Sequence, residues 1–236
     1  MNSFQPQLHI LPAAQHRLWP ELSKVPGEFV LYGGTAVGLW LGHRASVDFD
    51  FFSTEPFTPD KLLTRIPFLA GGTLLQSEPN TLTLALARDG EVKVSFFGGL
   101  TFGRVGQPER TGDIGLAVAS KLDLAATKAR VVFERAERKD YLDLAALLKS
   151  GIVLADALGA ACALYGERFN PMITLKALNY FADGDLPKLP EDVKPQVSYL
   201  NRYWLTAEAC SVYAQAAAIV SLEQHSPIMG IAAGVP

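Results

Sequence analysis

The sequence predicts an α+β fold: a small mixed α/β unit followed by a helical domain. Three observations carry that expectation. A brief apolar stretch, Glu28 to Tyr32, runs into Gly33-Gly34, then a helix-spaced segment, then a run alternating apolar residues with Asp48 and Asp50. Two more alternating runs, Thr81 to Ala87 and Glu91 to Phe97, are joined by Arg88-Asp89-Gly90. An Asp-Gly between alternating runs is a strong hairpin signal. The character then changes across residues 98–112, which hold five glycines and a proline, and the sequence beyond is helical in spacing. The expected division is a core over 1–112, a helical domain over 113–225 and a poorly ordered tail over 226–236.

The elements follow in order. Leu8 to Val25 reads as a short amphipathic helix interrupted near Pro20. Glu28 to Tyr32 is a strand, and Thr35 to Leu41 has helical spacing with Val37 and Trp40 apolar. Val47 to Phe52 shows the period-2 pattern of a strand. Thr58-Pro59-Asp60 opens a helix, since proline is tolerated in a first turn. The hairpin over 81–97 follows. Helices are then expected over Gly115–Glu134, Lys139–Leu148, Val153–Tyr165 and Pro171–Phe181. A connector with Pro187, Pro190 and Pro195 leads to a last helical region, roughly Val197 to Leu222.

Composition narrows the class. With 236 residues and 49% hydrophobic content the chain can bury a sizeable core. A net charge of −3 gives no global basic field for nucleic acid. Only Cys162 and Cys210 occur, which implies no disulfide framework and suits a reducing cytoplasm. The N-terminus lacks the basic cluster and apolar core of a signal peptide. The most apolar stretch, Ile152 to Tyr165, carries Asp156 and falls short of the ~20 residues a bilayer span needs. A soluble, cytoplasmic protein without membrane partners is expected.

The chemistry concentrates around Gly33-Gly34 and Asp48-x-Asp50. On a strand, residues two apart share a face, so Asp48 and Asp50 project together. Two adjacent carboxylates are costly unless a cation neutralises them, and hard oxygen ligands suit Mg²⁺. The N–H groups where Gly33-Gly34 enters a helix can face a phosphate. Each feature has a plain alternative: Gly-Gly after a strand can be only a turn, and paired acids can be a solvated face. The apolar neighbours Val47, Phe49, Phe51 and Phe52 mark a central strand, however, where acids need a reason. Arg44 and Ser46 either touch a phosphate or serve as a loop arginine and a strand-capping serine.

A second cluster lies in the helical half. Lys121 and Lys128 are seven apart and share a helix face. Asp140 and Asp143 follow Arg138-Lys139, either as a cap and a first-turn acid or as site residues. From Lys121 to Lys139 there are six Lys/Arg against three Asp/Glu, a patch able to hold a triphosphate or a polynucleotide backbone. The four histidines have no metal-ligand spacing, and His43 reads as a loop residue. No Gly-x-Ser-x-Gly elbow and no Walker loop occurs, which disfavours covalent hydrolase chemistry and P-loop binding.

Together these residues resemble the AbiEii/AbiGii toxin-like branch of the nucleotidyltransferases in the DNA polymerase β superfamily. The match runs through Tyr32-Gly33-Gly34-Thr35-Ala36, Arg44-x-Ser46-x-Asp48-x-Asp50-Phe51-Phe52 and Val92-Lys93-Val94-Ser95-Phe96. It continues through Lys121-Leu122-Asp123-Leu124 with Lys128, Arg138-Lys139-Asp140-Tyr141-x-Asp143-Leu144, and Leu175-Lys176-Ala177-Leu178-x-Tyr180-Phe181. The resemblance implies a small mixed-sheet nucleotidyltransferase core and transfer of a nucleotidyl group from an NTP to a hydroxyl. It implies Mg²⁺ on Asp48 and Asp50, and triphosphate contacts from Gly33, Gly34 and Thr35 or Ser46. Lys121 would contact phosphate, with Arg44 and Lys128 nearby, and Asp140 would be a further catalytic contributor. Partners implied are an NTP, an RNA or other acceptor, and an antitoxin.

One departure matters. The superfamily places a third carboxylate on a neighbouring strand, and Ser95 stands there in this chain. Serine is a poor base and weak ligand, and Lys93 on the same face repels a second metal while favouring phosphate. Glu91, Asp140 or Asp143 is expected to replace the acid; otherwise the protein is a weak or inactive nucleotide-binding relative.

Overall fold

The computed structural model describes residues 3–101 and 103–199. Its strands are β1 (Ser3–Phe4), β2 (Val30–Tyr32), β3 (Asp48–Phe52), β4 (Thr73–Glu78), β5 (Thr81–Ala87), β6 (Glu91–Phe97), β7 (Glu109–Thr111) and β8 (Ala117–Val118). Its α-helices are α1 (Ala13–Leu18), α2 (Gly33–Leu41), α3 (Pro59–Arg65), α4 (Lys121–Glu134), α5 (Arg138–Lys149), α6 (Leu154–Tyr165), α7 (Pro171–Ala177) and α8 (Val193–Tyr199). The strands form one mixed sheet in the order β1-β7-β8-β2-β3-β6-β5-β4. The expected helix over 197–222 overlaps the described residues only at 197–199; the rest of it, Cys210, His225 and the 226–236 tail lie outside them.

β3 lies inside the sheet, antiparallel to β2 and parallel to β6. Its alternation decides its orientation. Phe49 and Phe51 are fully buried, whereas Asp48, Asp50 and Phe52 face the other way and are half-buried. Phe51 stacks on Phe96 of β6 at 5.1 Å, and Phe29 meets Phe96 edge-on at the same separation. Burying one such ring stabilises by roughly 1.5–3 kcal/mol, so this aromatic layer fixes the face the two aspartates share.

α2 connects β2 to β3. It begins two residues earlier than the spacing predicts, because Gly33 at φ +75° turns the chain sharply out of β2. It ends at Gly42, which takes the left-handed conformation at φ +65° and donates its N–H to the Gly38 carbonyl at 2.7 Å. The N-terminal segment is interrupted near Pro20 as expected: α1 ends at Leu18 and a 3₁₀ turn (Trp19–Lys24) takes over, with Pro20 at its start, where the missing N–H costs nothing. A further break falls at Leu11-Pro12, before α1.

The expected helix over 115–134 needs a larger correction. Residues 109–111 and 117–118 return to the sheet as β7 and β8, with Val118 beside Leu31 of β2. α4 begins only at Lys121, where the Ser120 hydroxyl caps it by accepting the Asp123 N–H at 3.0 Å. Two- and three-residue strands carry no periodicity to read. β4 is exposed on both faces and so shows no alternation either.

The helical half has its own core. Ala126 and Ala129 of α4, Tyr141 and Leu144 of α5, and Leu154, Leu158 and Ala161 of α6 pack together. α4 lies against both α5 and α6, and α2 contacts α4 and α5. The helical layer is thereby seated over the open side of β3.

Candidate active site

The first turn of α2 is built against the acid strand. A Cβ on Gly33 would lie 3.0 Å from Asp50 Oδ2, and a Cβ on Gly34 would strike Arg44 Nη2 and come within 3.2 Å of Ser46 Oγ. Glycine is therefore required at both positions for the turn, Asp50 and Arg44 to come this close. A cavity of about 610 Å³ opens beside this turn. One wall holds Gly33, Gly34, Ser46, Asp48 and Asp50; the other holds Lys128, Arg130 and Arg135 of the α4 region, with Lys139 and Arg168 beyond.

Behind the cationic wall lies a buried ionic network. Lys128, 6% exposed, donates to Asp140 Oδ1 at 2.8 Å and meets Asp143 Oδ2 at 2.7 Å. Asp140 also accepts from Arg135 Nε at 2.8 Å. Asp143 receives Arg44 through Nε at 2.6 Å and Nη2 at 2.8 Å, and His43 Nε2 sits 2.7 Å from its Oδ1. Burial by itself pushes the Asp143 carboxyl up. The His43 bond, the Lys128 charge and Arg44 outweigh it and hold the group well below the usual carboxylate range.

The acid pair itself is in a different state. Burial first, and then the Asp48 charge, push the Asp50 carboxyl above its ordinary range; Lys93 and the Ser95 hydroxyl, which bonds it, offset this only in part. Lys93 Nζ stands 3.4 Å from Asp48 Oδ2, with both side chains about two-fifths exposed. Two carboxylates on one strand face fit a hard cation such as Mg²⁺, which takes one or two carboxylates and fills its shell with water and phosphate oxygen. Among the described residues no group of three or more His, Cys, Asp or Glu stands together as a metal cage. The pair accordingly suits an ion that arrives with phosphate.

Of the residues singled out from the sequence, Gly33, Gly34, Arg44, Ser46, Asp48, Asp50 and Lys128 line this one cavity. Three do not. The Thr35 hydroxyl donates to the Asp48 carbonyl and is buried, so it ties α2 to β3 rather than facing a phosphate. Lys121, two turns before Lys128, lies over the Trp40 ring at 5.6 Å instead. Asp140 has no exposed surface; Lys128 and Arg135 consume its oxygens. Asp143 is consumed in the same way, and Glu91 is exposed at the far end of β6, so none of the three stands in for the acid missing at Ser95.

Sequence reasoning undervalued Asp143 and His43, and passed over Tyr165 and Arg168, which come from the end of α6 and the turn after it. Tyr165 stacks under Arg130 at 4.8 Å, and burial pushes its hydroxyl up to about 12. Asp143 carried a usable signal, being three residues after Asp140 on one helix face; Tyr165 and Arg168 carried none.

A central acid pair, a glycine turn into a helix and a helical layer closing the cavity are the features of the nucleotidyltransferase fold. The structure aligns with MenT4, a nucleotidyltransferase toxin from Mycobacterium tuberculosis, at a TM-score of 0.60 and 13% identity, over 89% of this chain and 95% of that one. A crystal structure from H. pylori aligns at a TM-score of 0.54 and 15% identity, over 90% and 97%. The protein belongs to the AbiEii family, the nucleotidyl transferase toxins of type IV toxin–antitoxin systems, whose model matches residues 18–199. It is 33% identical to the uncharacterized protein aq_aa25 of Aquifex aeolicus over 184 residues, 77% of this chain and 83% of that one.

Proposed function

We propose that the protein binds an NTP with Mg²⁺ in the 610 Å³ cavity and transfers its nucleotidyl group to a hydroxyl acceptor, with RNA as the acceptor class. One observation carries the reading. Asp48 and Asp50 face Lys128, Arg130, Arg135 and Lys139 across a single cavity, so anionic phosphate and a cation find opposite partners there. Asp48 and Asp50 would hold Mg²⁺, which would neutralise the phosphates and polarise the α-phosphorus. The α2 N-terminus has no side-chain cap, leaving its first N–H groups for phosphate oxygen. The acceptor oxygen attacks the α-phosphorus in line, the bond to pyrophosphate breaks with its electron pair leaving on pyrophosphate, and the hydroxyl proton passes to water. The Arg44 and Lys128 cations stabilise the leaving charge, held in place beforehand by Asp143 and Asp140.

Calorimetric titration of the protein with each NTP in Mg²⁺ tests this: the double variant Asp48→Asn, Asp50→Asn should lose binding. Unchanged binding rejects the assignment. The family supports an antitoxin partner, and co-purification from the native cell addresses it; the absence of a single helix long and apolar enough to cross a membrane, among the described residues, is compatible with a cytoplasmic setting.

Ser95 favours a second reading, a nucleotide-binding protein with slow or no turnover. It stands opposite Asp50 where a third carboxylate would activate the acceptor. Incubation with labelled NTPs and bulk tRNA separates the readings, since transfer of label contradicts the binding-only view.

A further inference from the structure

We propose that this site takes a single divalent cation with its nucleotide, and that the Lys93 ammonium stands where a second cation would sit. The inference rests on the NTP reading above. Its basis is the β6 flank of the acid pair. In the parallel register of β3 and β6, Lys93 lies directly beside Asp48 and Ser95 directly beside Asp50. The cationic contact is made, with Lys93 Nζ 3.4 Å from Asp48 Oδ2, and Ser95, only 3% exposed, holds the strand position beside Asp50.

A second cation bridging the two aspartates from this side would meet an ammonium and a neutral hydroxyl. Neither provides the negative oxygen that a small hard cation demands, and the ammonium repels it at contact range. Among the described residues, no other acid around the cavity is free to come across. Asp140 and Asp143 are committed to Lys128, Arg135 and Arg44, and Glu134 pairs with Arg130 at 2.6 Å. The opposite flank differs: Asp50 Oδ2 faces the bare Gly33 turn, with cavity space beside it. Asp48 and Asp50 would hold one cation from that side, with phosphate oxygen supplying further ligands. Lys93 then contributes one positive charge beside the phosphates, in the place where a second Mg²⁺ would contribute two.

The count of bound ions is measurable without turnover. The full chain is titrated with Mn²⁺ in the presence of the α,β-methylene analogues of ATP, CTP, GTP and UTP in turn, and free Mn²⁺ is followed by electron paramagnetic resonance. The wild-type protein should bind one Mn²⁺ per chain with its preferred analogue. The variant Lys93→Met, Ser95→Asp, shown to be folded by circular dichroism, should bind two, while Lys93→Arg should still bind one. Two ions in the wild-type protein overturn the proposal, and so does a single ion in the folded double variant. No Mn²⁺ with any of the four analogues overturns the NTP reading itself, so the two failures are told apart. The wild-type count stands even if the double variant does not fold.

Discussion

Asp143 on α5 grips the Arg44 guanidinium in a fork, Oδ1 accepting from Nε at 2.6 Å and Oδ2 from Nη2 at 2.8 Å. The two residues lie 99 positions apart, so this fork joins the segment before the acid strand to the helical half. Asp143 has no exposed surface. Removing it leaves Arg44, Lys128 and His43 around an uncompensated cavity, and breaking one partner from a buried ion pair costs about 3–5 kcal/mol. Asp143→Ala should therefore lower unfolding free energy by roughly that amount in urea titrations. Because Arg44 also contacts the Gly34 turn, NTP affinity should fall with it. A variant as stable as wild type would show the network to be dispensable.

The same carboxylate predicts a sensitivity to acid. Its native-state pKa lies below the unfolded value of about 3.9, since the His43 bond, Lys128 and Arg44 together outweigh burial. A lowered native pKa means stability that is fully present above about pH 4 and is lost as pH falls below it towards the native value. Urea midpoints measured from pH 6 down to pH 2.5 should hold and then drop. In Asp143→Asn the baseline is lower, but the drop below pH 4 should be shallower. Curves of equal steepness would mean that other carboxylates carry the acid response.

Gly33 and Gly71 make a matched pair for separating strain from site geometry. Both take left-handed conformations, at φ +75° and φ +78°, so an alanine at either costs roughly 1–2 kcal/mol of strain. Around Gly71 there is open space, whereas a Cβ at Gly33 presses on Asp50 Oδ2 at 3.0 Å. The two alanine variants should melt at similarly reduced temperatures. Only Gly33→Ala should lose Mg²⁺-dependent NTP binding, by tenfold or more if one charge-assisted contact worth about 1.5–3 kcal/mol is displaced. Equal binding by both variants would remove the glycine turn from the site.

What the sequence revealed and what it hid follow one physical rule. The strand bearing Asp48 and Asp50 was legible because its buried and open faces alternate, and Phe49 and Phe51 had to point opposite to the acids. The hairpin was legible through Asp89-Gly90. β7 and β8 were not, because two or three residues hold no period, and their place beside β2 is decided by long-range pairing. The side-chain roles failed similarly. Lys121 and Lys128 share a helix face, yet one rests on Trp40 and the other sinks between two aspartates, since different elements pack over successive turns. Thr35 sits in the phosphate-like motif but spends its hydroxyl on the Asp48 carbonyl. The absent third carboxylate, by contrast, was visible through the family resemblance, which expects an acid where Ser95 stands, and the register of β3 and β6 puts Ser95 beside Asp50.

Asp123 supplies the last test. It belongs to the Lys121-Leu122-Asp123-Leu124 motif but faces away from the cavity cations, 1% exposed. Its carboxylate accepts the Val105 N–H at 2.8 Å, the Gly106 N–H at 2.9 Å and the Ser120 hydroxyl at 2.6 Å. That clamp fastens the segment after the hairpin to the start of α4. Gly106 allows the close approach, since a Cβ there would sit 2.6 Å from the Ser120 Cβ. Asp123→Ala strands two buried N–H donors, at about 1–3 kcal/mol for each group left unsatisfied. Asp123→Asn repairs little, because its amide NH₂ turns a donor towards a donor. The freed segment contains Arg104, which is exposed and thus open to trypsin once its neighbours no longer hold it. Limited trypsin digestion should cut both variants after Arg104 many times faster than wild type, well below the melting temperature. If the cut comes no faster, the three bonds do not hold the segment, and the Asp123 carboxylate serves only to orient the Ser120 hydroxyl that caps α4.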